Sequence, residues 1–163
     1  MSGNESTYKL LTGEAGYRQA IDTVLELAVS EIAIFDYDLA ALRLEEPPRT
    51  AKLANFLQQD AASRLRIVVH EPSLLDSRMP RFMQLATRHS AAIQVRQSPD
   101  NLRHLADAHV LADIRHGVRR FHIDHARYAL MLDDPATIRP WRQRFEELWD
   151  LSQPCLKIST TGL

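Results

Sequence analysis

Residues 103–132 read RHLADAHVLADIRHGVRRFHIDHARYALML. Three short apolar segments, Val110 to Ile114, Val118 to Ile123 and Arg127 to Leu132, predict consecutive strands, with His116-Gly117 as the turn between the first two. Strict alternation along the second places Phe121 and Ile123 on one face and Arg120, His122 and Asp124 on the other. The same interval carries five histidines (His104, His109, His116, His122, His125) and five arginines (Arg103, Arg115, Arg119, Arg120, Arg127). It has no lysine; none occurs between Lys52 and Lys157.

Upstream, apolar positions alternate between helical and strand spacing. Tyr17, Ala20, Ile21, Val24, Leu25 and Ala28 recur at helical intervals between Glu14 and Ser30, preceded by a loose lead-in from Met1 to Thr7. Ile32 to Phe35 predicts a strand ending in Asp36-Tyr37-Asp38, and Pro47-Pro48 opens a helix with Leu53, Phe56 and Leu57 on one side. Leu65 to Val69 is continuous and β-branched, as a strand buried on both faces requires. A helix entered at Pro80 presents Phe82, Leu85, Ala86 and His89, and Ile93 to Arg96 gives a third strand. Downstream of the quoted stretch, Asp133-Asp134-Pro135 predicts an aspartate-capped helix, divided or kinked at Pro140, with Trp141, Phe145, Leu148 and Trp149 as its apolar stripe. A short last strand is expected around Leu156 to Ser159. Strand–helix alternation followed by a run of strands gives an α/β class: a mixed sheet of six or seven strands with helices on both faces, in one domain over residues 1–163.

Composition narrows the function. With 163 residues, 45% hydrophobic residues and a net charge of −1, the chain lacks the basic stripe that tracking along nucleic acid demands. Seventeen arginines against three lysines suit oxyanion gripping, and also suit a GC-rich coding sequence. The lone Cys155 excludes an intrachain disulfide within this sequence. No apolar run nears the roughly 20 residues that span a bilayer, so no membrane insertion and a cytoplasmic location are expected.

Several phrases together resemble the phospholipase D superfamily. Ile32 to Asp36 is similar to its first strand, Leu65-Arg66-Ile67-Val68-Val69 to its second, Ala108-His109-Val110-Leu111-Ala112-Asp113 to the strand bearing its catalytic histidine, and Arg144-Phe145-Glu146-Glu147-Leu148-Trp149 to its closing helix. The resemblance spans nearly the whole chain. It points to a group of uncharacterised bacterial domains, some joined to or near N-acetyltransferase domains. It implies the superfamily's fold, a symmetric homodimer with the strand near Asp113 close to the two-fold axis, and an acetyltransferase as a possible partner. The superfamily's chemistry uses a histidine nucleophile on phosphorus, a second histidine as acid, and lysines on the phosphate, from a His-x-Lys pair followed after four residues by Asp.

This sequence departs from that motif. With Asp113 at the Asp position, the His and Lys positions fall on Ala106 and Ala108, and His109 lies one residue further along, on the opposite face of the strand. With His104 at the His position, Lys is replaced by Ala106 and Asp by Leu111. The downstream Gly-Ser-x-Asn is replaced in the region of Arg120 to His125.

These departures set the functional expectation: a non-catalytic binding or regulatory module with no cofactor. Arg103, Arg115, Arg119, Arg120, Asp113 and Asp124 are the candidate ligand-binding residues, for an anionic ligand. The alternative is a divergent phosphodiesterase or nuclease using His109 or His122 with arginine in place of lysine. A third and weaker reading is a metal-dependent hydrolase built on His122 and Asp124, which chelation would abolish; a zinc site would want three or four convergent ligands, and no strong ligand spacing supplies them. Asp36 and Asp38 are read as loop and capping residues at the strand edge where open α/β sheets bind ligands.

Overall fold

The computed structural model describes residues 5–156. Its eight strands are β1 (Thr7–Thr12), β2 (Glu31–Asp36), β3 (Arg64–Val69), β4 (Ile93–Gln97), β5 (Ala108–Ala112), β6 (His116–His122), β7 (His125–Leu132) and β8 (Gln153–Pro154). The helices are α1 (Glu14–Leu27), α2 (Pro47–Gln59), α3 (Ser73–Arg78), α4 (Pro80–Arg88) and α5 (Pro135–Leu151). One sheet runs in the order β1-β7-β6-β5-β2-β3-β4-β8. Its β2-β3-β4 half is parallel and the rest is antiparallel, so the mixed α/β sheet expected from sequence is present.

Helix α1 turns Tyr17, Ala20, Ile21, Val24 and Leu25 inward, and with α2 and α4 covers one sheet face in a core holding Ile32, Ile34, Leu65, Ile67 and Val110. Helix α5 covers the other face, packing Ile138, Phe145, Leu148 and Trp149 on Ala33, Phe35, Val68 and Leu111. Its amino end is capped as the sequence predicts, with the Asp134 carboxylate accepting from the Thr137 N–H. Pro140 does not divide it. The missing N–H falls in the second turn and removes a single bond, so the helix continues.

Four details differ from the sequence reading. Thr7, the last residue of the expected lead-in, opens an edge strand (Thr7–Thr12) paired to β7 that the sequence reading did not include; its outward side chains, including Tyr8 and Leu10, hid the burial pattern. That strand and the two-residue β8 bring the sheet to eight. His116 and Gly117 lie within β6 opposite Ala112 and Leu111, and the turn is made by Asp113-Ile114-Arg115, with Asp113 in the left-handed region (φ 56°). A register shift between Arg120 and His122 breaks the strict alternation of β6, because a bulge turns the strand's end. Of the expected last strand at Leu156 to Ser159, Leu156 is non-strand, and the remaining residues lie outside the described ones.

Candidate functional site

Two rows of side chains across β2, β5 and β6 decide what the quoted stretch can do. Phe35 pairs with His109, and His109 with Arg119. One residue along, Ala108 pairs with Arg120, and the same register brings Asp36 beside Ala108. The pleat sends the two rows to opposite faces. Phe35, His109 and Arg119 lie under α5; Asp36, Ala108 and Arg120 face the α1 side.

Under α5, His109 has no accessible surface. Its ring sits between Phe35 (5.7 Å) and Phe145 (5.9 Å), and neither nitrogen has a hydrogen-bond partner among the described residues. Burial pushes its pKa down to about 3; Asp107 opposes that, and Arg144, Arg119 and Arg142 add to it. The imidazole is therefore neutral and sealed. Around it, Arg144 forks onto Asp107 (2.7 and 2.9 Å), and Arg119 lies 3.6 Å from Asp107 and stacks 4.0 Å from the Trp141 ring. Arg66 pairs with Glu31 and Glu146, and Arg142 with Glu31 at 2.6 Å.

On the other face, Asp36, Tyr37 and Asp38 border an open cleft of about 520 Å³ with Ala40, Ala41, Arg120, Ile123 and Asp124. The cleft stands at the carboxyl end of β2, the edge where open α/β sheets bind ligands. Asp36 is only 3% exposed, and burial raises its pKa to about 6, although the Leu39 N–H donates to it at 2.7 Å. Asp38 accepts from the Ala40 N–H at 3.0 Å. Both aspartates thus do the capping work the sequence suggested, and hold a turn in which Leu39 (φ 73°) and Arg43 (φ 49°) are left-handed. Arg120, buried, donates to Glu14 at 2.5 Å and to the carbonyls of His122 and Ile123, and its guanidinium lies 4.9 Å from the centre of the Tyr17 ring. The Tyr17 hydroxyl is buried without a hydrogen-bond partner among the described residues. Burial raises its pKa, and so does the Asp36 charge.

The predicted residues therefore occupy separate places. Arg120 and Asp124 share the cleft. Arg103 stands near it, donating to the Tyr37 hydroxyl (3.2 Å) and the His70 carbonyl (3.3 Å), with Glu71 at 3.7 Å. His122 is exposed at the β6–β7 hairpin and accepts from the Asp124 N–H at 3.1 Å. Arg119 is on the α5 face. Arg115 and Asp113 are at the far end of β5, where Arg115 meets Asp133 (2.7 Å) and the Asp113 carboxylate accepts from the N–H groups of Val29 (3.0 Å), Ser30 (2.7 Å) and Glu31 (3.0 Å). Among the described residues, no group of three or more His, Cys, Asp or Glu side chains is placed to hold a metal ion.

His70, at the end of the second predicted strand, stood out in the sequence, but its buried pairing with Ser98 did not. The His70 ring bonds the Ser98 hydroxyl through Nδ1 and the Leu105 carbonyl through Nε2 (2.9 Å), which makes Nε2 the protonated nitrogen. Burial lowers its pKa. It ties the ends of β3 and β4 to the segment entering β5. The two residues are 28 positions apart, too far for spacing to reveal.

Comparison with solved structures places this architecture. Nuc, a phospholipase D family member from Salmonella typhimurium, superposes with a TM-score of 0.69 at 12% identity, covering 94% of this chain and all of Nuc. Phosphatidylserine synthase from Haemophilus influenzae gives 0.62 at 14% identity, over 94% of this chain and 40% of that one. TrmBL2, an archaeal chromatin protein, gives 0.68 at 13% identity, and this chain spans about half (54%) of its length. At such identities the likeness establishes the fold, which is phospholipase D-like, and nothing further. No curated protein matches the sequence. A family model does match, over residues 14–160, and by that match the chain belongs to the family described as a domain of unknown function, DUF7931.

Proposed function

We propose that this domain is a non-catalytic, phospholipase D-like binding or regulatory module. The observation that carries the reading is the register of β5. Toward the α1 side the strand presents the buried Ala108, and the only histidine of the strand, His109, is turned to the opposite face and enclosed by Phe35 and Phe145. A histidine nucleophile must reach phosphorus, with a free cation beside it to stabilise the negative charge on the phosphoryl oxygens. His109 touches no solvent, and Arg144 and Arg119 beside it are held on Asp107. The phosphodiesterase alternative through His122 has less support: Arg120 contacts the His122 carbonyl rather than its ring and is paired with Glu14.

An anionic ligand for the four named arginines is also disfavoured. Each already has a carboxylate within reach: Glu71 for Arg103, Asp133 for Arg115, Asp107 for Arg119 and Glu14 for Arg120. A protein partner, either a second copy of the chain or an acetyltransferase domain, fits better with the exposed Tyr8, Leu10 and Phe121. By strand register Tyr8 and Leu10 share the open end of the α5 face with Arg119, whose guanidinium lies 5.2 Å from the Phe121 ring.

Hydrolysis of bis-p-nitrophenyl phosphate tests the reading, with and without chelator, on the intact protein and its His109→Ala and His122→Ala variants. The expected result is equal background release in all samples. Turnover that either substitution removes would overturn it.

A further inference from the structure

We infer that the cleft between Asp36 and Arg120 is a binding site for a small organic cation, a primary ammonium or guanidinium group carried on a short apolar stem. This goes beyond the non-catalytic reading and does not depend on it: phosphodiester turnover would end that reading and leave the cleft's charge unchanged.

The size sets the class of ligand. About 520 Å³ falls within the span of small-molecule pockets and is too confined for a macromolecular surface. The charge sets its sign. Asp36, Asp38 and Asp124 border the cleft, against Arg120 alone, and Arg120 is held by Glu14 and by two carbonyls. The Asp36 carboxylate takes the Leu39 N–H on Oδ2 and is stabilised by the Tyr37 backbone N–H as well, and Asp38 takes the Ala40 N–H on Oδ1. Among the described residues no salt bridge within 4.0 Å engages Asp36 or Asp38, and the His122 Nδ1 that lies 3.8 Å from the Asp124 carboxylate is an acceptor for the Asp124 N–H.

Two buried groups behind the cleft point the same way. The Asp36 carboxyl is desolvated without a counter-cation in contact, a state that an incoming ammonium would relieve. Deeper in the core and outside the cleft's lining, the Tyr17 hydroxyl is fully buried, has no hydrogen-bond partner among the described residues, and is within electrostatic reach of Asp36 and Arg120. Ala40, Ala41 and Ile123 supply the apolar wall for a stem. A bare metal ion does not fit, since the carboxylates do not converge on one point.

An NMR titration of the ¹⁵N-labelled protein near neutral pH reads this out, with agmatine and phenethylamine as probes and inorganic phosphate as the anionic control. The amines are expected to shift the amides of Tyr37 to Ala41 and of Ile123 and Asp124 in a saturable way. Asp36→Asn should weaken that binding by roughly tenfold, the loss of one charged contact. Because Asp36 also caps the turn at Leu39, the exposed Asp124→Asn serves as a second variant, expected to weaken binding severalfold in a protein of unchanged melting temperature. The proposal is overturned if neither amine shifts these amides, if both variants bind as the intact protein does, or if phosphate occupies the same residues more tightly.

Discussion

Replacing His109 with leucine should stabilise this protein, and by more in acid than at neutral pH. The leucine matches the ring in volume and adds no polar atom. At pH 7.5 it removes two buried nitrogens without hydrogen-bond partners, each of which costs of the order of 1–3 kcal/mol in part or in full; a net gain of about 1–2 kcal/mol is expected. For a domain of this size that raises Tm by about 3–6 °C. The pH dependence has a definite sign. The folded-state pKa, about 3, lies below the unfolded value of 6.5, so the stability associated with a neutral His109 is complete above pH 6.5 and is lost as pH falls toward 3. In that window the unfolded chain binds the extra proton, with a slope approaching about 1.4 kcal/mol per pH unit. Between pH 7.5 and pH 4.5 the leucine variant should gain a further ~2–3 kcal/mol on the parent. Asp36 acts with the opposite sign: its pKa is raised from 3.8 to about 6, so its contribution is fully present below pH 3.8 and is lost as pH rises through 6. Taking the difference between variant and parent at each pH cancels that contribution. Urea melts across the pH range supply the measurement. A variant less stable than the parent at pH 7.5, or a gap that does not widen in acid, would refute the claim that this ring is sealed and neutral.

Two other substitutions probe the frame. Asp113→Ala removes an acceptor shared by three backbone N–H groups at the start of β2 and should cost about 2–3 kcal/mol in chemical denaturation; a loss under about 0.5 kcal/mol would show that water serves those groups equally well. Gly16→Ala places a Cβ 2.5 Å from the buried Tyr128 hydroxyl. The helical gain of about 1 kcal/mol is outweighed by overpacking of about 1–3 kcal/mol, for a net loss near 1 kcal/mol; a rise in Tm would mean that Tyr128 moves aside without strain.

The elements that were legible in the sequence are those that bury one regular face. Tyr17 to Leu25 declared α1 by helical spacing, and Leu65 to Val69 declared β3 by continuous apolar character, because each packs on the core in the manner its pattern assumes. The edge strand β1 was illegible for the opposite reason: its burial is too slight to impose a period, and only its pairing with β7 makes it a strand. His116 and Gly117 read as a turn from composition, yet the left-handed Asp113 takes that task and anchors itself on the N–H groups of Val29 to Glu31, a contact across more than 80 positions.

The site divides along the same line. That His109 faces away from Ala108 follows from the two-residue period of a strand and was readable in advance. The encounter of Asp36 with Arg120, and the separation of Arg119 from Arg120 by the thickness of the sheet, depend on strand order and on the bulge at the end of β6. Neighbours in sequence were read as one cluster, and the sheet sorts them to two faces.

Carbethoxylation by diethyl pyrocarbonate, mapped residue by residue on the native protein, tests most directly whether the strand presents a nucleophile. Of the seven histidines, the exposed His104, His122 and His125 should be modified readily, while His109 stays unmodified until the protein unfolds. Modification of native His109 at the rate of His122 would contradict the account, because a ring that reagent can reach is a ring that phosphate can reach.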